Sequence, residues 1–163
     1  MINFRKIKVI FLGFLQNVVT PQEVNSMLFE LIKENIKTNQ ILWNLEDNVR
    51  LSELGVQHIA STKQEIDKYN QVRNNLIREI DEEIAKQMNV TPLKDRGKFY
   101  AESPGMVIDR LSILFIKSLF INQLLKLIED GSLQNEYSEK ESIVSKQIND
   151  IGFFLDLYFE RLK

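Results

Sequence analysis

Residues 66–81 read IDKYNQVRNNLIREID, and this stretch decides the predicted fold. Read in alternating steps of three and four, it continues an apolar face that runs from Val56 to Ile84 without Gly or Pro. Such spacing is typical of an amphipathic helix and not of a strand. We therefore predict a long helix from about Val56 to Met88, with Asn70 and Arg73 among its inward-facing residues.

Three more long helices are predicted from the same pattern. A capping hydroxyl precedes a proline at Thr20-Pro21 and at Ser103-Pro104, which is typical of a helix start. The predicted helices are Thr20 to just before Gly55, Val56 to Met88, Pro104 to about Asp130 with Gly131 closing it, and Glu136 to Leu162. Residues 89–103 lose the period and read as a long surface loop. The fold class is all-α, an antiparallel bundle of four main helices with a central apolar third helix.

The N-terminal segment is distinct from the helical bundle domain in this interpretation. Residues 1–19 form an apolar basic segment, and residues 20–163 form the bundle. Arg5, Lys6 and Lys8 precede an apolar run, but no small-residue cleavage site follows and the run is too short to span a bilayer. Two alternatives remain open: the segment packs on the domain, or it contacts a membrane surface with its cations toward lipid phosphate.

Composition excludes several classes of function. The chain has no cysteine and one histidine, which excludes disulfides, thiolate nucleophiles and the common zinc sites. We therefore expect no metal and no cofactor, and a reducing location such as the cytoplasm. The 21 Lys and Arg residues against 23 Asp and Glu residues give a net charge of -2, so nucleic acid is not an expected partner.

Polar residues occupy positions that the periodicity assigns to the interior. If the predicted faces meet, four cations converge with three carboxylates, namely Lys63, Arg73, Arg110 and Lys117 with Glu46, Asp67 and Asp109. The surplus of one positive charge favours an anionic ligand such as a phosphate. The alternatives are a closed network of ion pairs that fixes helix register, or a polar groove for a protein partner. The candidate ligand-binding residues are Glu46, Arg50, Lys63, Asp67, Asn70, Arg73, Asn74, Asp109, Arg110 and Lys117.

Three blocks of sequence resemble a known bacterial family. The blocks are LWNLED at residues 42–47, IDKYNQVRNNLIREID at 66–81 and ESPGMVIDRLSIL at 102–114. Together they are similar to a family of helical proteins of unknown function whose genes commonly accompany lipopolysaccharide and other surface-polysaccharide glycosyltransferase genes. The resemblance extends from about Leu31 to Ile128. Ser103 stands where that family typically has Thr, which keeps the capping hydroxyl.

The resemblance implies a context and no reaction. We expect an accessory or small-ligand-binding protein of bacterial lipopolysaccharide biosynthesis, in the cytoplasm or peripheral to the inner membrane. The alternative is a non-enzymatic scaffold that docks on a glycosyltransferase, or on the membrane through residues 1–19. A chorismate-mutase-like helical enzyme is less favoured, because its long Arg-led first helix is absent.

Whether the protein is an enzyme, and its oligomeric state, stay open. In an enzyme, Glu46 or Asp67 would transfer protons, and cations such as Arg73, Arg110 and Lys117 would hold negative charge.

Overall fold

The computed structural model describes residues 2–16, 26–50, 55–89 and 102–161. Every regular element in these ranges is a helix, and together they form a bundle, as predicted. The elements are α1 (Phe4–Leu15), α2 (Met27–Val49), α3 (Gly55–Gln87), α4 (Pro104–Leu125) and α5 (Gly131–Arg161). Within the same ranges no helix combines the length and the apolar character that crossing a bilayer requires.

The α4 helix lies at the centre of the bundle. It contacts α1, α2, α3 and α5, which agrees with the predicted central helix. Its buried apolar side chains are Val107, Ile108, Leu111, Phe115, Ile116 and Ile121. Other apolar side chains of this helix are partly in solvent: Met106 is 44% exposed and Phe120 is 41% exposed. One side of α4 therefore faces outward, next to α2 and α3.

The directions of α2 and α4 follow from their contacts. Asn35 bonds to Asp109, and Trp43 meets Phe120, so residue numbers rise together along both helices. The α3 helix runs the opposite way, because Arg73 lies near Asp109 while the later Asp81 meets the earlier Gly105. Neighbours in sequence are thus antiparallel across α2, α3 and α4, as predicted.

The α1 helix packs on the rest of the bundle. Ile7, Ile10 and Phe11 are completely buried, and the Phe11 ring centroid lies 4.9 Å from that of Phe115 in α4. Near its start, the Phe4 N–H donates to Asp156 of α5 at 2.6 Å. The apolar face that the sequence placed either on the domain or on a membrane therefore contributes to the core.

Some predicted boundaries differ from the observed ones. Gly131 was assigned to the end of the third predicted helix, and this is wrong, because α4 ends at Leu125 and Gly131 begins α5. The preceding Asp130 accepts the Leu133 N–H at 2.8 Å and so caps the new helix. The predicted helix start at Thr20 and most of the loop at 89–103 lie outside the described residues.

Close packing of α3 on α4 depends on Gly105. A Cβ at this position would lie 2.5 Å from the carbonyl oxygen of Ile77 and 2.9 Å from Cγ of Asp81. The Gly105 N–H donates to Oδ1 of Asp81 at 2.6 Å, which satisfies one of the free N–H groups at the start of α4. Burial raises the pKa of Asp81 and outweighs the opposing effect of its hydrogen bonds with Ser103 and Gly105.

Asp81 yields a prediction with a pH dependence. Asp81→Ala should lower the free energy of unfolding by about 1–3 kcal/mol, because the Gly105 N–H loses its acceptor. Asp81→Asn keeps an acceptor oxygen and lacks the ionised form that burial disfavours. Folding raises the pKa of Asp81, so this carboxyl group contributes its full stabilising free energy only below pH 3.8, its ordinary pKa. The contribution is lost as the pH rises through the pKa of the folded state.

The stability of Asp81→Asn relative to the unaltered protein should therefore increase as pH rises from 3.8 toward neutrality. Urea denaturation at a series of pH values measures this. Equal losses in the Ala and Asn variants, with no pH trend, would contradict the assignment.

Gly152 tests the docking of α1 on α5. This glycine is buried, and a Cβ on it would overlap the ring of Phe4. Gly152→Ala should cost about 1–3 kcal/mol of stability through overpacking, despite the better helix propensity of alanine. Gly131→Ala is the matched control, because nothing lies within 4 Å of its Cβ position. Thermal unfolding compares the two variants, and a Gly152→Ala protein as stable as the unaltered one would refute the close contact.

Candidate functional site

An open cleft of about 370 Å³ lies between α2, α3 and α4. Its size falls in the range of small-molecule sites. One part of its wall is apolar and includes Trp43 and Phe120, whose ring centroids lie 5.8 Å apart at an angle of 55°. The polar lining residues are Asn39, Glu46, Asp47, Arg50, Asn70 and Arg73. The cleft therefore offers aromatic surface and several hydrogen-bonding groups to the same occupant.

A buried polar network joins α2 to α4 beside this cleft. Asp109 is 8% exposed, and its Oδ1 accepts from Nδ2 of Asn35 at 2.8 Å and from Nδ2 of Asn39 at 2.9 Å. Asn39 Nδ2 also lies 2.5 Å from the Ser112 hydroxyl, which donates to the Asp109 carbonyl. The closed-network alternative from the sequence thus describes this part of the molecule, although its members are mostly amides and not ion pairs.

Two buried polar atoms of cleft residues have no hydrogen-bond partner among the described residues. They are Oδ1 of Asn39 and Nε of Arg73. Arg73 Nε lies 4.0 Å from Oδ2 of Asp109, which is an ion pair but too long for a hydrogen bond. Leaving a buried polar atom unpaired costs about 1–3 kcal/mol. A small molecule that bonds to these atoms would remove that cost.

The charge around the cleft differs from the predicted surplus of cations. Arg73 faces Asp109, whereas Arg50 has no carboxylate within 4.0 Å among the residues that the structure describes. Glu46 and Asp47 also line the cleft. The arginines at the cleft thus number two, Arg50 and Arg73, and the carboxylates number three. The predicted excess of one positive charge is wrong. Any preference for an anion must come from the placement of Arg50 and not from the net charge.

The ten predicted ligand-binding residues divide between the cleft and the surface. Glu46, Arg50, Asn70 and Arg73 line the cleft, and Asp109 lies beneath it as the partner of Arg73. The other five are exposed to solvent and do not form the predicted charged interior: Lys63, Asp67, Asn74, Arg110 and Lys117.

The outward placement of these residues has a physical reason. On α3 the inward-facing residue is Thr62, 5% exposed, so the buried face lies one position before Lys63. On α4, Arg110 pairs with Glu102 at the surface, where the pair keeps its hydration. An unpaired charge in the interior would be far more costly than a small rotation of the helix.

Seven cleft residues were absent from the predicted set: Asn39, Leu42, Trp43, Asp47, Ile113, Ile116 and Phe120. Asn39 follows Asn35 by four positions, and this spacing was a usable signal for a buried amide pair. Trp43 and Phe120 carried no such signal, because aromatic residues at helical spacing are ordinary core residues.

The network gives a prediction about stability. Asp109→Ala removes the acceptor of two buried amides and should lower the free energy of unfolding by about 2–4 kcal/mol. Asp67→Ala is the matched control, because Asp67 is exposed on α3 and its loss should change stability by no more than about 0.5 kcal/mol. Chemical denaturation followed by circular dichroism measures both. Comparable effects of the two substitutions would show that Asp109 is not a structural centre.

Comparison with known proteins finds one family. The family model described as a protein of unknown function, DUF4254, matches residues 29–159. This range contains every residue that lines the cleft. No curated protein and no solved structure matches the chain.

Proposed function

The chain belongs to the DUF4254 family, and we propose that it is a small-ligand-binding protein whose ligand is a phosphorylated sugar held in the cleft between α2, α3 and α4. The observation that carries the proposal is the meeting of an aromatic wall, Trp43 and Phe120, with Arg50 in one open cleft. Neither feature alone is specific, but the two together match a ring that bears an anionic group.

The aromatic wall favours a ligand with a flat apolar face. Trp43 is partly exposed and Phe120 is 41% exposed, so both rings offer surface to an incoming molecule. A sugar ring packs its C–H face on such a surface and directs its hydroxyls sideways. Glu46 and Asp47 would accept hydrogen bonds from those hydroxyls, because ionised carboxylates are acceptors only.

Arg50 supports the anionic part of the proposed ligand. A guanidinium binds phosphate through two parallel N–H···O bonds, and Arg50 has no ion-pair partner among the described residues that would compete. Arg73 is less available, because its charge faces Asp109. The phosphate is therefore expected at the Arg50 side of the cleft.

The cellular role belongs to the same proposal. A protein that binds phosphorylated sugars fits the role in bacterial lipopolysaccharide or other surface-polysaccharide synthesis, in the cytoplasm, that the sequence resemblance implies. The proposal concerns binding and assigns no reaction. Of the two carboxylates considered for proton transfer, Glu46 lines the cleft and Asp67 lies outside it.

A second candidate function is that of a scaffold for a glycosyltransferase or for the membrane surface. It is favoured by exposed apolar side chains on α5, where Phe153 is 66% exposed and Phe154 is 42% exposed. Docking through residues 1–19 is less favoured, because Ile7, Ile10 and Phe11 are buried against the bundle. We prefer the ligand proposal, because a scaffold has no use for unpaired polar atoms in a cleft.

Tryptophan fluorescence tests the proposal directly. The chain has one tryptophan, Trp43, and it lines the cleft, so its emission reports occupancy. Titration with glucose, galactose and mannose 1-phosphate should give a saturable change with at least one of them. Arg50→Ala should weaken that binding by about 10-fold or more, since a hydrogen bond to a charged group contributes roughly 1.5–3 kcal/mol.

Lys37→Ala is the matched control, because it removes one cation from α2, the helix that Arg50 directly follows. Lys37 is exposed and lies near Glu34, away from the cleft, so its loss should leave the affinity unchanged. Helical circular dichroism confirms that each variant folds. The absence of a saturable signal with all three sugars, or equal affinities for Arg50→Ala and the unaltered protein, would contradict the proposal.

A further inference from the structure

We infer that Asn39 is a specificity-determining residue that accepts a hydrogen bond from a neutral donor of the ligand, a hydroxyl or an amide N–H, and that Asp109 is the positioning residue that orients it. The inference rests on the proposed function and adds which chemical group of the ligand lies deepest. It follows from the hydrogen bonds around one buried amide.

The orientation of the Asn39 amide is fixed. Its Nδ2 faces Oδ1 of Asp109 at 2.9 Å, and Oδ1 of Asn35 and the Ser112 hydroxyl lie beside it. A reversed amide would bring two oxygen atoms to the same distance and replace an attraction with a repulsion. The carbonyl oxygen of Asn39 must therefore point away from Asp109.

That oxygen is an unused acceptor in a cleft residue. Asn39 is 4% exposed, and its Oδ1 has no partner among the described residues although the residue lines the cleft. An amide oxygen accepts and never donates. An ionised phosphate also presents acceptors, so it would leave this atom unpaired and would repel it. The group that satisfies Asn39 must carry an O–H or an N–H.

The Nε–H of Arg73 is also suited to a hydroxyl or an amide of the ligand. Its Nε–H is buried and without a hydrogen-bond partner among the described residues. A hydroxyl donates and accepts, as does an amide, so either group suits an environment that holds one free acceptor and one free donor. The ligand would thus enter with its hydroxyl end toward Asn39 and Arg73 and its phosphate toward Arg50.

Asp109 acts through Asn39 and is not expected to touch the ligand. Its carboxylate accepts from Asn39 and Asn35 and has no proton to donate when ionised. In Asp109→Asn, the new amide can supply either an acceptor or a donor to Asn39. The Asn39 side chain is then free to turn, and its preference for a donor in the ligand is lost.

The test uses analogues of the hexose phosphate that binds best, in which each hydroxyl in turn is replaced by fluorine. Fluorine keeps the size but cannot donate. With the unaltered protein, one analogue should bind about 10- to 100-fold more weakly than the parent, because Asn39 is left unpaired in that complex. The fluorescence of Trp43 reports each titration.

Two variants assign the effect to the proposed residues. In Asn39→Ala and in Asp109→Asn the ratio between parent and that analogue should fall to about 3-fold or less, while the parent still binds. A purely structural role would weaken all analogues alike and leave the ratio intact. Asp67→Asn, the same chemical change on the exposed face of α3, should keep the full ratio. If one of the two variants does not fold, the other carries the assignment.

The outcomes separate this inference from the proposed function. If the parent binds and every fluorinated analogue binds within about 3-fold of it, the inference is overturned and the proposed function stands. If the discrimination survives in Asn39→Ala, another residue provides it and the inference is also overturned. If no hexose phosphate changes the fluorescence, the proposed function fails and the inference fails with it.

Discussion

The rest of this structure depends on one buried carboxylate, that of Asp109, at the contact of α2 and α4. Its side chain belongs to a residue that is only 8% exposed. Burial of an acidic group is tolerated only when its oxygens are bonded or paired. Asp109 obtains two amide donors from successive turns of α2, Asn35 and Asn39, and a cation from α3, Arg73. One side chain therefore ties three helices together.

The same constraint shapes the cleft. The amide groups that satisfy Asp109 turn the carbonyl oxygen of Asn39 away from it, and Arg73 reaches Asp109 from the cleft side. Asp109 has its partners in the network, whereas Asn39 and Arg73 each keep one buried atom that has no hydrogen-bond partner in the part of the chain that the structure describes. In the proposed function, stability and ligand recognition depend on one set of side chains. The closed network predicted from the sequence therefore describes the Asp109 side, and the ligand site stays a prediction for the cleft side.

Periodicity predicted the helices well and the direction of individual side chains less well. The predicted helix from Val56 to Met88 corresponds to α3 at Gly55–Gln87. A long apolar face at helical spacing identifies a helix with little dependence on the residues at its two ends. The pattern could not distinguish Lys63 from Thr62 as the inward residue, since neighbouring positions differ by about 100° and the packing of α2 decides between them. Gly131 was misread because a glycine serves equally at the end of one helix or the start of the next.

In the proposed function, the carbonyl oxygen of Asn39 and the guanidinium of Arg50 bind opposite ends of the same small molecule. A crystal structure of the protein grown with a hexose 1-phosphate tests it most directly. We expect the phosphate beside Arg50, the sugar ring against Trp43, and a hydroxyl oxygen within hydrogen-bonding distance of Asn39 Oδ1. A phosphate bound at Asn39, or a cleft closed by its own side chains with no ligand in it, would contradict the account.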